Sequence, residues 1–183
     1  NTIVGLGIVV HDTTTYANIS RSTYANWAAN LSSTAHTIAN LKDPTSTSFM
    51  PTVLRTSYAN ASHDEFPNLI VSATAAWNIY QDVAGVQNLR IGGAVADVGF
   101  GETMFNGTVP YVYDKYCTAS YVYILNTNRF SFYTYPGANF DMIGEGWKQA
   151  ENQDAKLAHV IWSGQLVCET PREQAVLTSV GAS

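Results

Sequence analysis

Three runs constrain this chain most: Val109 to Tyr113, Tyr121 to Leu125 and Phe130 to Tyr135 are dense in Val, Ile, Tyr and Phe. Turn-compatible pieces such as Asn126-Thr127-Asn128 separate them, so they read as strands of a small antiparallel meander. Successive residues on a strand face opposite sides of the sheet. Tyr111, Tyr113, Tyr116, Tyr121, Tyr123, Phe130, Phe132, Tyr133 and Tyr135 are too many for one covered face, and alternation must expose some of them. Tyrosine buries a large area while keeping a polar tip, so the surplus reads either as sheet covered by helices or as contact with another molecule.

Upstream the period changes from 2 to 3.6. Met50, Val53, Leu54, Ser57, Tyr58 and Ala61 share one face of a predicted helix that Ser48 can cap, that tolerates Pro51 in its first turn, and that ends near Ser62-His63-Asp64. A short strand, Asn68 to Val71, follows Pro67; Ser72 can cap a second helix through Trp77, Tyr80 and Val83, which Gly85 should end. Nearer the start, Tyr24, Trp27, Ala28 and Leu31 have the spacing of a short helical patch, and Asp43 to Ser48 is the best candidate for a domain crossing.

Residues 86–107 hold five glycines, including Gly92, Gly93, Gly99 and Gly101 around Phe100, and read as a long mobile surface loop. Leu157 to Cys168, interrupted at Ser163-Gly164, is the longest strand candidate, about twice the usual length, and suits an elongated domain. The tail from Arg172 to Val180 returns for one more short segment. The mixture of separate helices and strands is α+β.

At 183 residues and 46% hydrophobic, the chain can bury a core without metal or disulfide support. Only 13% of residues are charged, against about 25% in an ordinary domain. A surface of Asn, Ser, Thr and Tyr repels little, which suits a protein held against neighbours and equally a secreted glycan-binding module. A net charge of −5 with no Lys/Arg cluster excludes a dedicated nucleic-acid groove. Cys117 and Cys168 are too few and too distant for a zinc pattern and read as two buried thiols, with a single disulfide left open. No run of 18 apolar residues exists, so no membrane span is expected. The chain opens at Asn1 directly into the apolar Ile3 to Val10, and residues upstream are expected to be missing.

Beyond these patterns, several phrases occur in a telling order. Phe105-Asn106-Gly107-Thr108-Val109-Pro110-Tyr111-Val112-Tyr113-Asp114-Lys115-Tyr116-Cys117, Tyr123 to Thr127, Pro136 to Phe140, Asn152 to Ala155, Trp162 to Cys168 and Pro171 to Thr178 together resemble the second half of tailed-bacteriophage major capsid proteins. Gly7-Ile8 with Ile19 to Trp27 resembles an earlier block. The resemblance implies an HK97-like fold with two domains. Residues 1–45 and 148–170 would form a peripheral domain carrying the long β-strand Leu157 to Cys168, and residues 46–147 and 171–183 an axial domain around the five- and six-fold axes. The family's N-terminal arm, extended loop and spine helix have no counterpart in this sequence.

Residues that would carry chemistry have plainer readings. His11-Asp12 and His63-Asp64 are adjacent pairs with no nucleophile elbow or HExxH motif, and read as turn and helix-end residues. Gly99-Phe100-Gly101 lacks the ending of a phosphate loop. Asn18, Asn30, Asn60 and Asn106 begin N-x-[ST] triplets that a Ser/Thr-rich chain forms by chance. His159 reads as a core or interface histidine in an apolar strand. No enzyme, metal or cofactor is expected.

By resemblance, the chain is expected to be a structural subunit that self-assembles as pentamers and hexamers into an icosahedral phage head enclosing double-stranded DNA. Portal, scaffold and decoration proteins would be further partners, and the location would be the virion, with host cytoplasm during assembly. Gly92, Gly93, Gly99, Phe100 and Gly101 would form an intersubunit loop, and Tyr111, Tyr113, Tyr133, Tyr135 and Arg172 an interface. The alternatives are a same-fold nanocompartment such as an encapsulin, a gene-transfer-particle shell, a carbohydrate-binding module, and a small hydrolase dependent on His11 or His63.

Overall fold

Val122 to Leu125 is buried on both sides, which makes it the centre of the molecule. The structure, a computed structural model, describes residues 5–88, 103–142, 146–149, 154 and 156–182. In chain order the elements are α1 (Leu6–Val9), β1 (Asn30–Ser32), β2 (His36–Thr37), α2 (Ile38–Lys42), α3 (Met50–Ala61), β3 (Leu69–Ser72), α4 (Thr74–Asn88), β4 (Met104–Phe105), β5 (Val109–Tyr113), β6 (Val122–Leu125), β7 (Phe130–Met142), β8 (Lys148–Gln149), β9 (Lys156–Leu157), β10 (Val160–Cys168), β11 (Ala175–Leu177) and β12 (Val180–Ala182).

Six strands form one mixed sheet in the order β1-β11-β6-β3-β5-β4. Period-2 alternation divides its core in two. Val122 and Ile124 of β6, with Ala175 and Leu177 of β11, meet Met50, Val53 and Leu54 of α3 and Ile79 of α4. Tyr123, Leu125 and Val176 point the other way, to Val9, Val10, Tyr16, Ala29 and Cys168. Helices thus cover one face and the N-terminal segment covers the other.

The expected α3 face is the buried one, Met50, Val53, Leu54, Ser57 and Ala61, with Pro51 in the first turn. Ser48 is not its cap: Phe49 takes that position with no side-chain bond. The preceding residues are spent on turns instead, Asp43 accepting from the Thr45 amide at 2.9 Å and Ser46 Oγ from the Ser48 amide at 3.1 Å. Ser72 likewise does not cap α4; it ends β3, and its hydroxyl donates to the Ala73 carbonyl. Nor does Gly85 end α4, which continues to Asn88, since one glycine costs a helix only about 1 kcal/mol relative to alanine.

The expected meander is not formed. β3 intervenes between β5, to which it is parallel, and β6, to which it is antiparallel. β7 leaves the sheet altogether and pairs with β10. The Tyr24 to Leu31 patch is a single 3₁₀ turn at Ala25–Trp27, because Leu31 belongs to β1. Residues 6–9 of the apolar opening are helical, and their burial in the second core, not strand pairing, satisfies Val9 and Val10. β1 is parallel to β11 in the same sheet, and β7 pairs with β10 across residues 147 and 148.

Arg21 holds the N-terminal layer down. Its guanidinium is 1% exposed and donates to the Ile8 carbonyl at 2.8 Å, to Thr14 Oγ1 at 3.1 Å and to the Val9 carbonyl, while lying 5.0 Å over the Tyr16 ring. No carboxylate pairs with it among the described residues. Burial draws its pKa down. Tyr16 in turn stacks on Trp27 and accepts from the Cys168 amide at 2.9 Å.

His36 couples this architecture to pH. It sits on β2, 6% exposed, opposite Val180 of β12, and its Nδ1 has no hydrogen-bond partner among the described residues. Burial lowers its pKa below the usual 6.5. The unfolded chain therefore takes up this proton first as pH falls, so the stability conferred by neutral His36 is intact above the unfolded pKa and declines below about pH 6.5. Denaturant midpoints measured at pH 7.5 and pH 5.5 should drop more for the native chain than for His36→Leu. Equal drops in the two proteins would assign the acid sensitivity elsewhere.

Candidate functional site

The β7–β10 pair is the feature without an internal explanation. An isolated two-stranded ribbon is marginal in water unless something covers it. This one pairs from Phe130↔Cys168 to Met142↔Val160, and its root joins the second core through the fully buried Cys168, with Ala138 the other buried residue of the pair. Beyond the root the large aromatic residues of β7 are exposed, Phe132 by 55%, Tyr135 by 71% and Phe140 by 73%, while Ile161, Trp162, Leu166 and Val167 of β10 are half-buried.

The two faces differ in chemistry. Phe132 lies opposite Leu166 and Thr134 opposite Gly164, so these share a face with Trp162, whereas Tyr133 lies opposite Gln165 on the other. On the first face Trp162 stacks on Phe132 at 5.6 Å and 18° and meets Phe140 at 6.2 Å. Gly164 makes this possible: a Cβ there would stand 2.6 Å from Trp162 Cζ2, so the indole lies directly over the glycine. The other face presents Tyr133 with Gln165.

Irregularities in β7 aim the rings. The register shifts on both sides of Trp162, where β7 carries extra residues that include Pro136, Gly137 and Phe140. Gly137 has φ +78°, which glycine adopts freely. Phe140 has φ 55°, a conformation costing an L-residue on the order of 1–2 kcal/mol. That strain is retained at the position that turns the Phe140 ring onto Trp162, and strained backbone of this kind concentrates at functional surfaces.

The candidate residues divide as follows. Tyr133 and Tyr135 are on the ribbon and exposed. Tyr113, at the end of β5, is 56% exposed with its ring 5.3 Å from Trp77. Arg172 is exposed, its Nε donating to His63 Nε2 at 3.0 Å. Tyr111 does not belong with them. It is 1% exposed, 4.8 Å from Tyr80, and burial pushes its pKa well up, because its side of β5 faces α4. Gly92, Gly93, Gly99, Phe100 and Gly101 lie outside the described residues. Trp162, Phe140 and Gly164 belong to the same surface, and sequence reasoning missed all three.

Among the described residues the chemical candidates assemble no catalytic set. His11 Nδ1 stands 3.1 Å from Asp12 and 3.4 Å from Thr13 Oγ1, so acid and hydroxyl approach the same ring nitrogen. A triad needs them on opposite nitrogens. His159 is exposed between β9 and β10 instead of buried in a strand. Cys117 and Cys168 are both free, and burial raises both thiols, Cys168 to about 11, which keeps it protonated and unreactive. Among the described residues no group of His, Cys, Asp and Glu could hold a metal, and no helix is long and apolar enough to cross a membrane.

The fold of this chain has a counterpart among solved structures. The chain is similar over 92% of its length to a chain of the cyanophage A-1(L) capsid asymmetric unit, at a TM-score of 0.57 and 19% identity, and spans 56% of that chain. A virus-like particle from Pyrococcus furiosus matches 86% of the chain at a TM-score of 0.48 and 10% identity, covering 57% of its chain. No family model matches the sequence, and no curated protein does.

Proposed function

We propose that this chain is a structural shell subunit of the HK97-like type, whose copies close into an icosahedral phage head around double-stranded DNA. The observation that carries the reading is the β7–β10 ribbon, whose two faces are finished with aromatic residues that the chain itself leaves uncovered. The capsid-subunit fold supports it. Function then resides in broad symmetric contact, with no catalysis and no cofactor.

In this reading residues 46–147 and 171–183 form the axial domain, residues 1–45 and 148–170 the peripheral one, and β1 and the ribbon tie the two together. Tyr113, Tyr133, Tyr135 and Arg172 contact neighbouring copies in pentamers and hexamers, and the segment holding Gly92, Gly93, Gly99, Phe100 and Gly101 meets its equivalents at the symmetry axes. Portal, scaffold and decoration proteins complete a virion assembled in host cytoplasm. Net charge −5 suits a wall that lies near packaged DNA without gripping it.

Sedimentation velocity over a concentration series tests this. Self-association into fast-sedimenting species is expected as concentration rises. A single 19.9 kDa species throughout would overturn the reading.

A further inference from the structure

The roots of the ribbon carry a second device. β7 begins at Phe130, one residue after Arg129, and β10 ends at Cys168, five residues before Glu173. Arg129 Nε donates to Glu173 Oε2 at 2.8 Å and its Nη2 to Glu173 Oε1 at 3.3 Å, a two-pronged pair across the two roots. Glu173 is 1% exposed. The same carboxylate accepts from Asn126 Nδ2 at 2.9 Å, and Asn126 also donates to Glu65 Oε2 at 3.1 Å. Arg129 Nη2 stands 3.6 Å from Glu65 Oε1. Gln174 Oε1 accepts from the Asn126 amide at 2.8 Å, and the Glu169 amide donates to the Arg129 carbonyl at 2.9 Å.

Four members of this network lie where ribbon meets sheet, Asn126 just past β6, Arg129 at the foot of β7, Glu173 and Gln174 just before β11, and Glu65 reaches them from the loop between α3 and β3. Removing the network would leave β6 and β11 paired to each other, because their register at Ala175↔Ile124 through Leu177↔Val122 does not involve it. Among the described residues the ribbon would keep its hold on the opposite side, through Phe130 and Cys168 in the second core and the Cys168 amide on Tyr16.

We propose that the Arg129–Glu173–Asn126–Glu65 network is a hinge latch that fixes the angle of the β7–β10 ribbon to the six-stranded sheet, and that the ribbon swings about its root when the latch opens. The latch stands on contacts within one chain. Its consequence, that it sets the angle at which copies meet, rests on the shell reading.

Hydrogen exchange by mass spectrometry on the full chain tests the latch without assembly. In Arg129→Ala the amides of Phe130–Met142 and Val160–Cys168 should exchange about tenfold faster, while those of β6 and β11 keep their native protection. Arg129→Ala also strands a buried carboxylate and could unfold the protein for that reason alone. The double variant Arg129→Ala/Glu173→Gln removes the stranded charge, and the ribbon should still exchange faster over a protected sheet. Native exchange in the ribbon of the double variant would overturn the latch, and so would loss of sheet and ribbon together in it. A latch that behaves as expected in a chain that never self-associates would leave the hinge standing and sink the shell reading alone.

Discussion

Arg21→Ala is expected to lower the unfolding free energy by about 3 kcal/mol. The cause is what the guanidinium leaves behind. The Ile8 and Val9 carbonyls lose their donor, and Val9 is itself fully buried, so its carbonyl has no ready access to water. The cation over the Tyr16 ring is lost as well, and Tyr16 is the residue that ties Cys168 to the N-terminal layer. Arg21→Met keeps the apolar stem while removing the donors, so it should recover only the packing share. Urea unfolding of the three proteins measures this. If Arg21→Met equals the native chain, the hydrogen bonds contribute nothing net and the argument from orphaned carbonyls fails.

The second large effect concerns assembly. Phe132→Ser/Phe140→Ser should weaken association between copies by at least about tenfold while leaving the unfolding midpoint of the sheet nearly unchanged, since truncating a central aromatic contact typically costs about 2 kcal/mol of binding. Both rings are more than half exposed in the chain, so their loss takes little from its own core. Within the chain they stack on Trp162, and in the proposed shell that stacked surface is the one a neighbouring copy covers. Light scattering at matched concentrations, beside a denaturation curve, separates the two effects. Undiminished association would place the contact elsewhere, and a collapsed midpoint would show the rings to be core residues.

The helices were legible because amphipathic spacing is a local property: Met50, Val53, Leu54, Ser57 and Ala61 announce the buried face of α3 before any partner is known. The strands were legible one at a time, as at Val109–Tyr113, but not in their pairing. Nothing in residues 109–125 records that Leu69–Ser72 inserts between β5 and β6, because both of its faces and both of its edges are used by distant segments. The same holds for Tyr111 and Tyr113. Two residues apart on one strand, they read alike, yet one lies under α4 and the other at the exposed strand end.

The ribbon was half visible. Leu157 to Cys168 reads as the longest strand, whereas the longest is its partner Phe130–Met142, with β10 beginning only at Val160. The predicted strand ran only to Tyr135, yet β7 continues through Pro136, which cannot donate to a ladder and sits in the bulge where no ladder bond is needed. Phe140 and Trp162 were missed for the same reason, since bulges break the alternation that would have placed them on one face. The available signal was Gly164 two residues after Trp162, an apolar strand interrupted by a residue over which a ring can lie. The resemblance to capsid proteins supplied the fold that periodicity could not.

An electron-microscopy reconstruction of the assembled full chain puts the central claim to its most direct test. Closed polyhedral particles in which Phe132, Phe140, Tyr133 and Tyr135 of one copy lie against protein from the next are predicted. Dispersed single copies, or particles whose β7–β10 ribbons face solvent on both sides, would contradict it.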